Sequence, residues 1–162
     1  MAALSLPSAH DLETSEILCG LRSRNPYDQY FAVIAMEEMS RIDLLAHVVP
    51  LFRSRSMDVR VVAIRAVGLL GGKESGFYSA LLAPLLEDLS ANVRYETVAA
   101  LGRLAHLGSS ASLSRIADSD MNRQVRKRAA QSARLVCGQP VPGDEMEEPR
   151  RTLAFNPLRF AA

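Results

Sequence analysis

Apolar residues recur along most of the chain at the spacing of three and four that places them on one face of a helix. In one segment this face is formed by Val59, Val62, Ala63, Ala66 and Leu70. A second apolar segment precedes it, and both kinds of segment return further along the chain. The pattern predicts packed α-helices arranged in pairs.

An internal repeat organises these segments. Asp58-Val59-Arg60, Asn92-Val93-Arg94 and Gln124-Val125-Arg126 recur at intervals of 34 and 32 residues, and Asp28-Gln29-Tyr30 stands 30 residues upstream as a degenerate copy. Proline and glycine punctuate the ends of the predicted helices. The repeat predicts four helix pairs over residues 11–137.

The composition agrees with a helical chain and divides it into three parts. Apolar residues make up 48% of the chain, aromatic residues 6%, and tryptophan is absent, so the core must consist of Leu, Val, Ile and Ala at close helix contacts. We predict an N-terminal extension at 1–10, a repeat domain at 11–137, and a tail at 138–162 that is rich in proline and charge.

The repeat unit resembles the HEAT repeats, in particular the bacterial HEAT-like repeats first associated with phycobilin lyases. The resemblance rests on a first helix with Pro84 that ends near Asp88, and on a second helix that opens Val93-Arg94 and continues to Gly102. It implies an all-α fold, a right-handed α-α superhelix of the HEAT/armadillo type with about four helix pairs and an irregular C-terminal tail.

The resemblance also implies a structural role for the arginine of each repeat. In HEAT-like arrays this arginine pairs with the turn Asp or Asn of a neighbouring repeat, whereas the first copy here carries Tyr30 instead. The expected arginine ladder consists of Arg60, Arg94 and Arg126 with Asp28, Asp58 and Asn92 as partners.

In this family the second helices line the concave surface, where apolar side chains would form an interaction site. In three of the four copies, the residues of the second helix that point away from its core face, and so toward the concave surface, are apolar. Either a partner covers them, or the superhelix curls until they touch, or a one-residue phase error has assigned core residues to this row. The predicted partner-binding residues, here called the concave stripe, are Phe31, Ile34, Glu38, Val61, Ile64, Arg65, Tyr95, Val98, Lys127, Gln131 and Arg134.

Charge is distributed unevenly along the chain. The net charge is +1, but residues 1–50 carry seven acids against three bases, whereas 121–137 carry five bases and no acid. We interpret the basic cluster of the last helix either as a solvated end or as a docking site for an acidic peptide or phosphate. The near-neutral total does not favour general binding to nucleic acid or membrane.

The tail ends in a short apolar motif. Leu153, Phe155, Leu158 and Phe160 follow a proline-rich, charged stretch. We expect this motif to dock into a groove, on another protein or back on the array, or to cap the last helix pair.

The sequence offers no recognisable catalytic or metal-binding set. His10, His47 and His106 stand apart from one another, and no phosphate-binding loop is present. We expect no cofactor and no metal. Cys19 and Cys137 lie at opposite ends of the array, which predicts free thiols in a reducing compartment, the cytoplasm.

These observations favour a non-catalytic protein–protein interaction scaffold, adaptor or regulatory subunit of a bacterial complex, which binds a partner helix or extended peptide on its concave face. A tetrapyrrole-binding, lyase-like protein is the alternative that the family resemblance suggests. Nucleic-acid binding through the basic last helix is a second alternative, against which the +1 charge and the scarcity of aromatic residues argue. We expect no membrane segment.

Overall fold

The computed structural model describes the backbone of residues 9–140 and the side chains of residues 13–140. This part of the chain contains α-helices, short 3-10 segments and no strand, which confirms the predicted all-α solenoid of paired helices. Four consecutive helix pairs follow one another: α1 (Ala9–Arg22) with α2 (Pro26–Glu38), α3 (Leu45–Val48) with α4 (Met57–Leu70), α5 (Ser75–Leu82) with α6 (Ala91–Leu104), and α7 (Ser110–Ser119) with α8 (Arg123–Val136).

Small polar residues begin three of the second helices. The side chain of Asn25 accepts a hydrogen bond from the backbone N–H of Tyr27 at 3.0 Å, and Pro26 follows it as the first helical residue. Ser56 caps α4 and Asn122 caps α8 in the same manner. These caps satisfy backbone donors that a helix cannot satisfy internally, and they fix where each second helix starts.

Prolines shorten two of the first helices. Pro50 and Pro84 lie near the start of the 3-10 segments Val49–Arg53 and Ala83–Glu87, which continue α3 and α5. Proline has no backbone N–H and its ring collides with the preceding turn, so a regular α-helix cannot run through it. Each of these first helices therefore tightens into a 3-10 turn before the chain reverses.

The second helices stack directly on one another, whereas neighbouring first helices hardly touch. Small residues permit this approach: a Cβ built on Gly68 would lie 2.7 Å from Ala100, and one built on Gly102 would lie 2.6 Å from the Oγ of Ser132. Because the second helices are closer together than the first helices, the array curves with the second helices on its inner side.

The core runs without interruption through all four pairs. Val33, Leu45, Val62, Leu101 and Leu113 come from different helices and represent all four pairs, and each is at most 1% exposed. Each internal pair therefore buries its apolar surface against both neighbours, as expected of a repeat array.

Candidate protein-interaction surface

The internal members of the predicted concave stripe are buried, which corrects their assignment as partner contacts and agrees with the alternative that they belong to the core. Val61, Ile64 and Val98 are 6%, 0% and 0% exposed and belong to the core. An internal second helix packs against the first helix of its own pair and against the second helices on both sides. An apolar residue that points away from its own first helix is therefore enclosed by the neighbouring repeats.

The rest of the concave stripe keeps contact with solvent, with one exception. Ile34 and Gln131 are half-buried, and Arg65 is buried. The exposed members are Phe31, Glu38, Tyr95, Lys127 and Arg134.

Arg65 is held in an ion pair between two second helices. Its Nε donates to Oε2 of Glu37 on α2 at 3.1 Å, and its Nη2 lies 3.0 Å from the same oxygen. With both side chains largely buried, the pair ties α4 to α2. Arg65 therefore has a structural partner, which the sequence pattern did not identify.

Exposed aromatic rings lie on α2 and α6. Phe31 is 45% exposed and Tyr95 is 38% exposed, and both occupy the position that follows the repeat anchor. Tyr27, which the sequence analysis did not single out, packs against Phe31 with ring centroids 4.9 Å apart. Tyr27 lies four residues before Phe31, a spacing that makes two side chains neighbours on a helix, so the sequence could have predicted this contact.

The arginine ladder is present, but its partners differ from the expected ones. Arg60 donates through Nε and Nη2 to Asp88 at 3.0 and 3.1 Å. Arg94 donates in the same way to Asp120 at 2.8 and 3.0 Å. Both carboxylates directly follow the first helix of the next repeat. Each pair of parallel arginine–aspartate hydrogen bonds, here called a rung of the ladder, therefore joins two repeats.

The expected partners lie elsewhere. Asp28 accepts from the hydroxyl of Ser23 at 2.7 Å, and Asn92 donates to the sulfur of Met57 at 3.8 Å. Asp28, Asp58 and Asn92 all stand in the first turn of a second helix. The positive end of the helix dipole favours an acid in this turn, as at Asp28 and Asp58.

Electrostatics make the Arg94–Asp120 rung sensitive to pH. The hydrogen bonds from Arg94 hold the pKa of Asp120 below its usual range, although burial of the carboxyl opposes this change. The backbone N–H of Asn122 and the charges of Arg94 and Arg126 lower this pKa further. The Asp120 side chain is only 4% exposed, so its charge is balanced mainly by Arg94.

The basic cluster of α8 is only partly available to a ligand. Arg123, Lys127 and Arg134 are exposed, whereas Arg128 is buried and its Nε has no hydrogen-bond partner among residues 13–140. The exposed bases lie at the opposite end of the array from Glu38. The inner surface therefore runs from an aromatic and acidic end on α2 to a basic end on α8.

No catalytic arrangement is formed by the residues singled out for chemistry. Cys19 and Cys137 are exposed free thiols, and Cys19 lines an open groove of about 920 Å³ beside α1. His106 and Ser79 line a small cavity of about 170 Å³, but no hydrogen bond joins them in the described structure. Within the same residues no cluster of His, Cys, Asp or Glu could hold a metal ion.

Two further predictions concern the membrane and the tail. None of the described helices combines the length and the apolar character needed to cross a bilayer. Leu153, Phe155, Leu158 and Phe160 lie outside the described residues, so the docking of the tail motif stays a prediction.

Comparison with known proteins identifies the repeat. The family model described as HEAT repeats matches residues 45–134, which is more than half of the chain. A search of curated proteins found no match. The matched region begins with α3 and extends into α8, so it includes both complete rungs of the arginine ladder.

Proposed function

Because this chain belongs to the HEAT-repeat family, we propose that it is a non-catalytic interaction scaffold or regulatory subunit that binds a partner protein along its inner, second-helix surface. The binding surface consists of the exposed side chains of that face: Tyr27, Phe31, Glu38, Tyr95, Lys127 and Arg134.

The observation that supports this proposal is the exposure of two aromatic rings in equivalent positions on second helices. Phe31 and Tyr95 remain 45% and 38% exposed, although Val61 at the equivalent position between them is 6% exposed. Aromatic side chains that are half in water are common anchors of protein interfaces, because they contribute a large apolar area at a small entropic cost.

The charges on this surface favour a particular kind of partner. Glu38 lies near the end of α2, whereas Lys127 and Arg134 lie on α8 with no acid between residues 121 and 137. We expect a helix or an extended peptide whose apolar side chains contact Phe31 and Tyr95 and whose acidic residues face α8. Charge complementarity of this kind fixes the orientation of the partner and speeds its association.

Comparative affinity capture tests the proposal. The wild-type protein, the double variant Phe31→Glu/Tyr95→Glu and the single variant Phe77→Glu would each be immobilised in a lysate of the cells that produce the protein. Phe77 is a matched control, because it is an aromatic residue 58% exposed on α5, a first helix. Circular dichroism would establish that all three proteins are folded.

We expect one set of proteins to be retained by the wild type and by Phe77→Glu, and to be lost or reduced about tenfold or more with the double variant. Retention of the same proteins by all three would contradict the proposal. So would a loss that is specific to Phe77→Glu, because it would place the binding surface on the first helices.

A further inference from the structure

Arg128 on α8 is a buried arginine without a counter-charge among residues 13–140. It is 9% exposed, its Nε has no hydrogen-bond partner there, and none of the ion pairs in this part of the chain includes it. Arg41 and Arg65 are buried to a similar extent, and each pairs with a carboxylate. A buried guanidinium that lacks an anion destabilises a fold, so packing within the array does not explain Arg128.

The preceding repeat shows how a charge at this position is balanced. Glu96 occupies on α6 the place that Arg128 occupies on α8, two residues after the arginine of the repeat anchor. Glu96 is 6% exposed, and its Oε1 accepts a hydrogen bond at 2.9 Å from Nη1 of Arg103, seven residues further along the same helix. On α8 the residue seven positions after Arg128 is Leu135. This repeat therefore has the charge but lacks the residue that would neutralise it.

The neighbours of Arg128 on α8 place it at the border of the inner surface. Arg128, Gln131 and Leu135 share one side of the helix, and the last two are half-buried. Ser132, one turn after Arg128, packs against Gly102 of α6. Arg128 therefore lies between the side of α8 that contacts α6 and the side that opens onto the inner surface.

The exposed ring of Tyr95 lies at the same level of the array. Tyr95 and Val98 share a side of α6 with Gly102 and precede it by about two turns and one turn. Equivalent helices of stacked repeats run in the same direction. Because Gly102 packs against Ser132, Arg128 lies beside the stretch between Tyr95 and Val98. A partner that contacts the Tyr95 ring therefore passes close to the guanidinium.

We propose that Arg128 binds a carboxylate of the partner peptide, and that an apolar side chain next to this acid contacts Tyr95. This site rests on the proposed function, because it belongs to the same inner surface, and it names the residue that selects an acidic partner. Lys127 is exposed beside it, and residues 121–137 contain no acid, so the surroundings favour an anion. A carboxylate is the natural occupant, because it accepts two parallel hydrogen bonds from a guanidinium.

The stability of Arg128→Met distinguishes a binding residue from a structural one. Methionine is also long, favours helices and carries no charge, so it can occupy the same place. In chemical denaturation of the full chain, we expect an unfolding equilibrium constant equal to that of the wild type or up to about tenfold lower, because no counter-charge is left unpaired. An increase of more than about threefold would overturn the proposal, since it would reveal a structural partner within the chain.

Peptide selection tests the binding role directly. Random peptides displayed on phage would be selected on the immobilised full chain, and the enriched peptides would be synthesised. Their dissociation constants would be measured by calorimetry with the wild type, Tyr95→Glu, Arg128→Met and Arg123→Met. Arg123 is the matched control, because it is an exposed arginine of the same helix and its replacement removes the same charge. Each acid of a peptide would also be replaced, one at a time, by its amide.

We expect Tyr95→Glu to abolish binding of the peptides, Arg128→Met to weaken it about tenfold, and Arg123→Met to change it less than about twofold. One acid of the peptide should account for the effect of Arg128. Its amide form should bind the wild type about tenfold more weakly than the acid does, and should bind Arg128→Met less than about twofold more weakly.

The contrary outcomes separate this site from the proposed function. Peptides that require Tyr95 but bind Arg128→Met as tightly as the wild type would overturn the role of Arg128 and leave the proposed function intact. Enrichment of no peptide that requires Tyr95 would contradict both. Equal losses with Arg128→Met and Arg123→Met would overturn the site, because they would indicate diffuse attraction. Dimerisation that requires Arg128 would also overturn it, because the carboxylate would then come from a second copy.

Discussion

Gly102 stands where the second helices α6 and α8 pack closely against each other. A Cβ at this position would lie 2.6 Å from the Oγ of Ser132 and 2.9 Å from its Cβ, on a residue that is itself fully buried. At distances below 3.0 Å some atoms must shift, and because the Cβ of Ser132 and, at 3.2 Å, its Cα are also close, rotation of the hydroxyl alone would not relieve the contact. The glycine of this repeat is therefore needed for the spacing of α6 and α8.

We predict that Gly102→Ala lowers the free energy of unfolding by about 1–3 kcal/mol through overpacking. Gly72→Ala is the control, because a Cβ there has no atom within 4 Å and the residue has no positive φ. It should be neutral or stabilising by about 0.5 kcal/mol through the reduced entropy of the unfolded chain. Urea denaturation measures both; equal stability of the two variants would contradict the close approach.

At the scale of the elements, the rungs of the ladder join repeats that otherwise contact each other mainly through apolar side chains. Each rung buries most of an arginine and an aspartate, with exposed fractions of 15% and 12% for Arg60 and Asp88. Removing one partner leaves the other charge buried without compensation, which costs more than the intact pair contributes. The aspartates at the ends of the first helices are therefore as important as the arginines.

We predict that Asp120→Asn lowers the free energy of unfolding at neutral pH by about 2–4 kcal/mol, since Arg94 loses its charged partner. Asp118→Asn, two residues earlier and exposed, should change it by less than about 0.5 kcal/mol. Thermal or urea denaturation of the two variants would measure the difference. An Asp120→Asn protein as stable as Asp118→Asn would show that the rung contributes nothing.

The same rung predicts a dependence on pH. Because the pKa of Asp120 is lower in the folded chain than its ordinary value, its contribution is complete above about pH 4 and is lost as pH falls through the folded-state pKa. When the pH is lowered from neutral to below about 4, the free energy of unfolding of the wild type should therefore fall more than that of Asp120→Asn. Parallel losses in the two proteins would be inconsistent with this linkage.

Periodicity predicted the helices and their pairing well, because each helix reveals its buried face through local spacing. It could not identify the ladder partners, because acids at two different places in the repeat, such as Asp58 and Asp88, recur at similar intervals. Only the stacking of whole repeats places Asp88 against Arg60. Spacing along the chain does not contain that information.

For the whole molecule, the same limitation explains why the sequence left open whether the centre of the concave stripe is exposed. A helical projection separates the face toward the first helix from the opposite face, but it does not show how closely the neighbouring repeats approach. Glycines at 68 and 102 bring α4, α6 and α8 together and enclose Ile64 and Val98. Phe31 on α2, the second helix of the first pair, and Tyr95 on α6 remain partly exposed.

The two ends of the array therefore differ in the side chains that they expose. Its first repeat carries the exposed aromatic and acidic side chains of α2, and α8, the last helix described, carries exposed bases. A partner that lies along the inner surface would meet these features in a fixed order.

The most direct test of partner binding at the inner surface is site-specific photocrosslinking in the cells that produce the protein. A photoreactive phenylalanine analogue would replace Tyr95 on α6 in one sample and Phe77 on α5 in another; both residues are exposed aromatics. We predict a discrete crosslinked product of higher mass from position 95 and none from position 77. Products from position 77 alone, or none from position 95, would contradict binding at the inner surface.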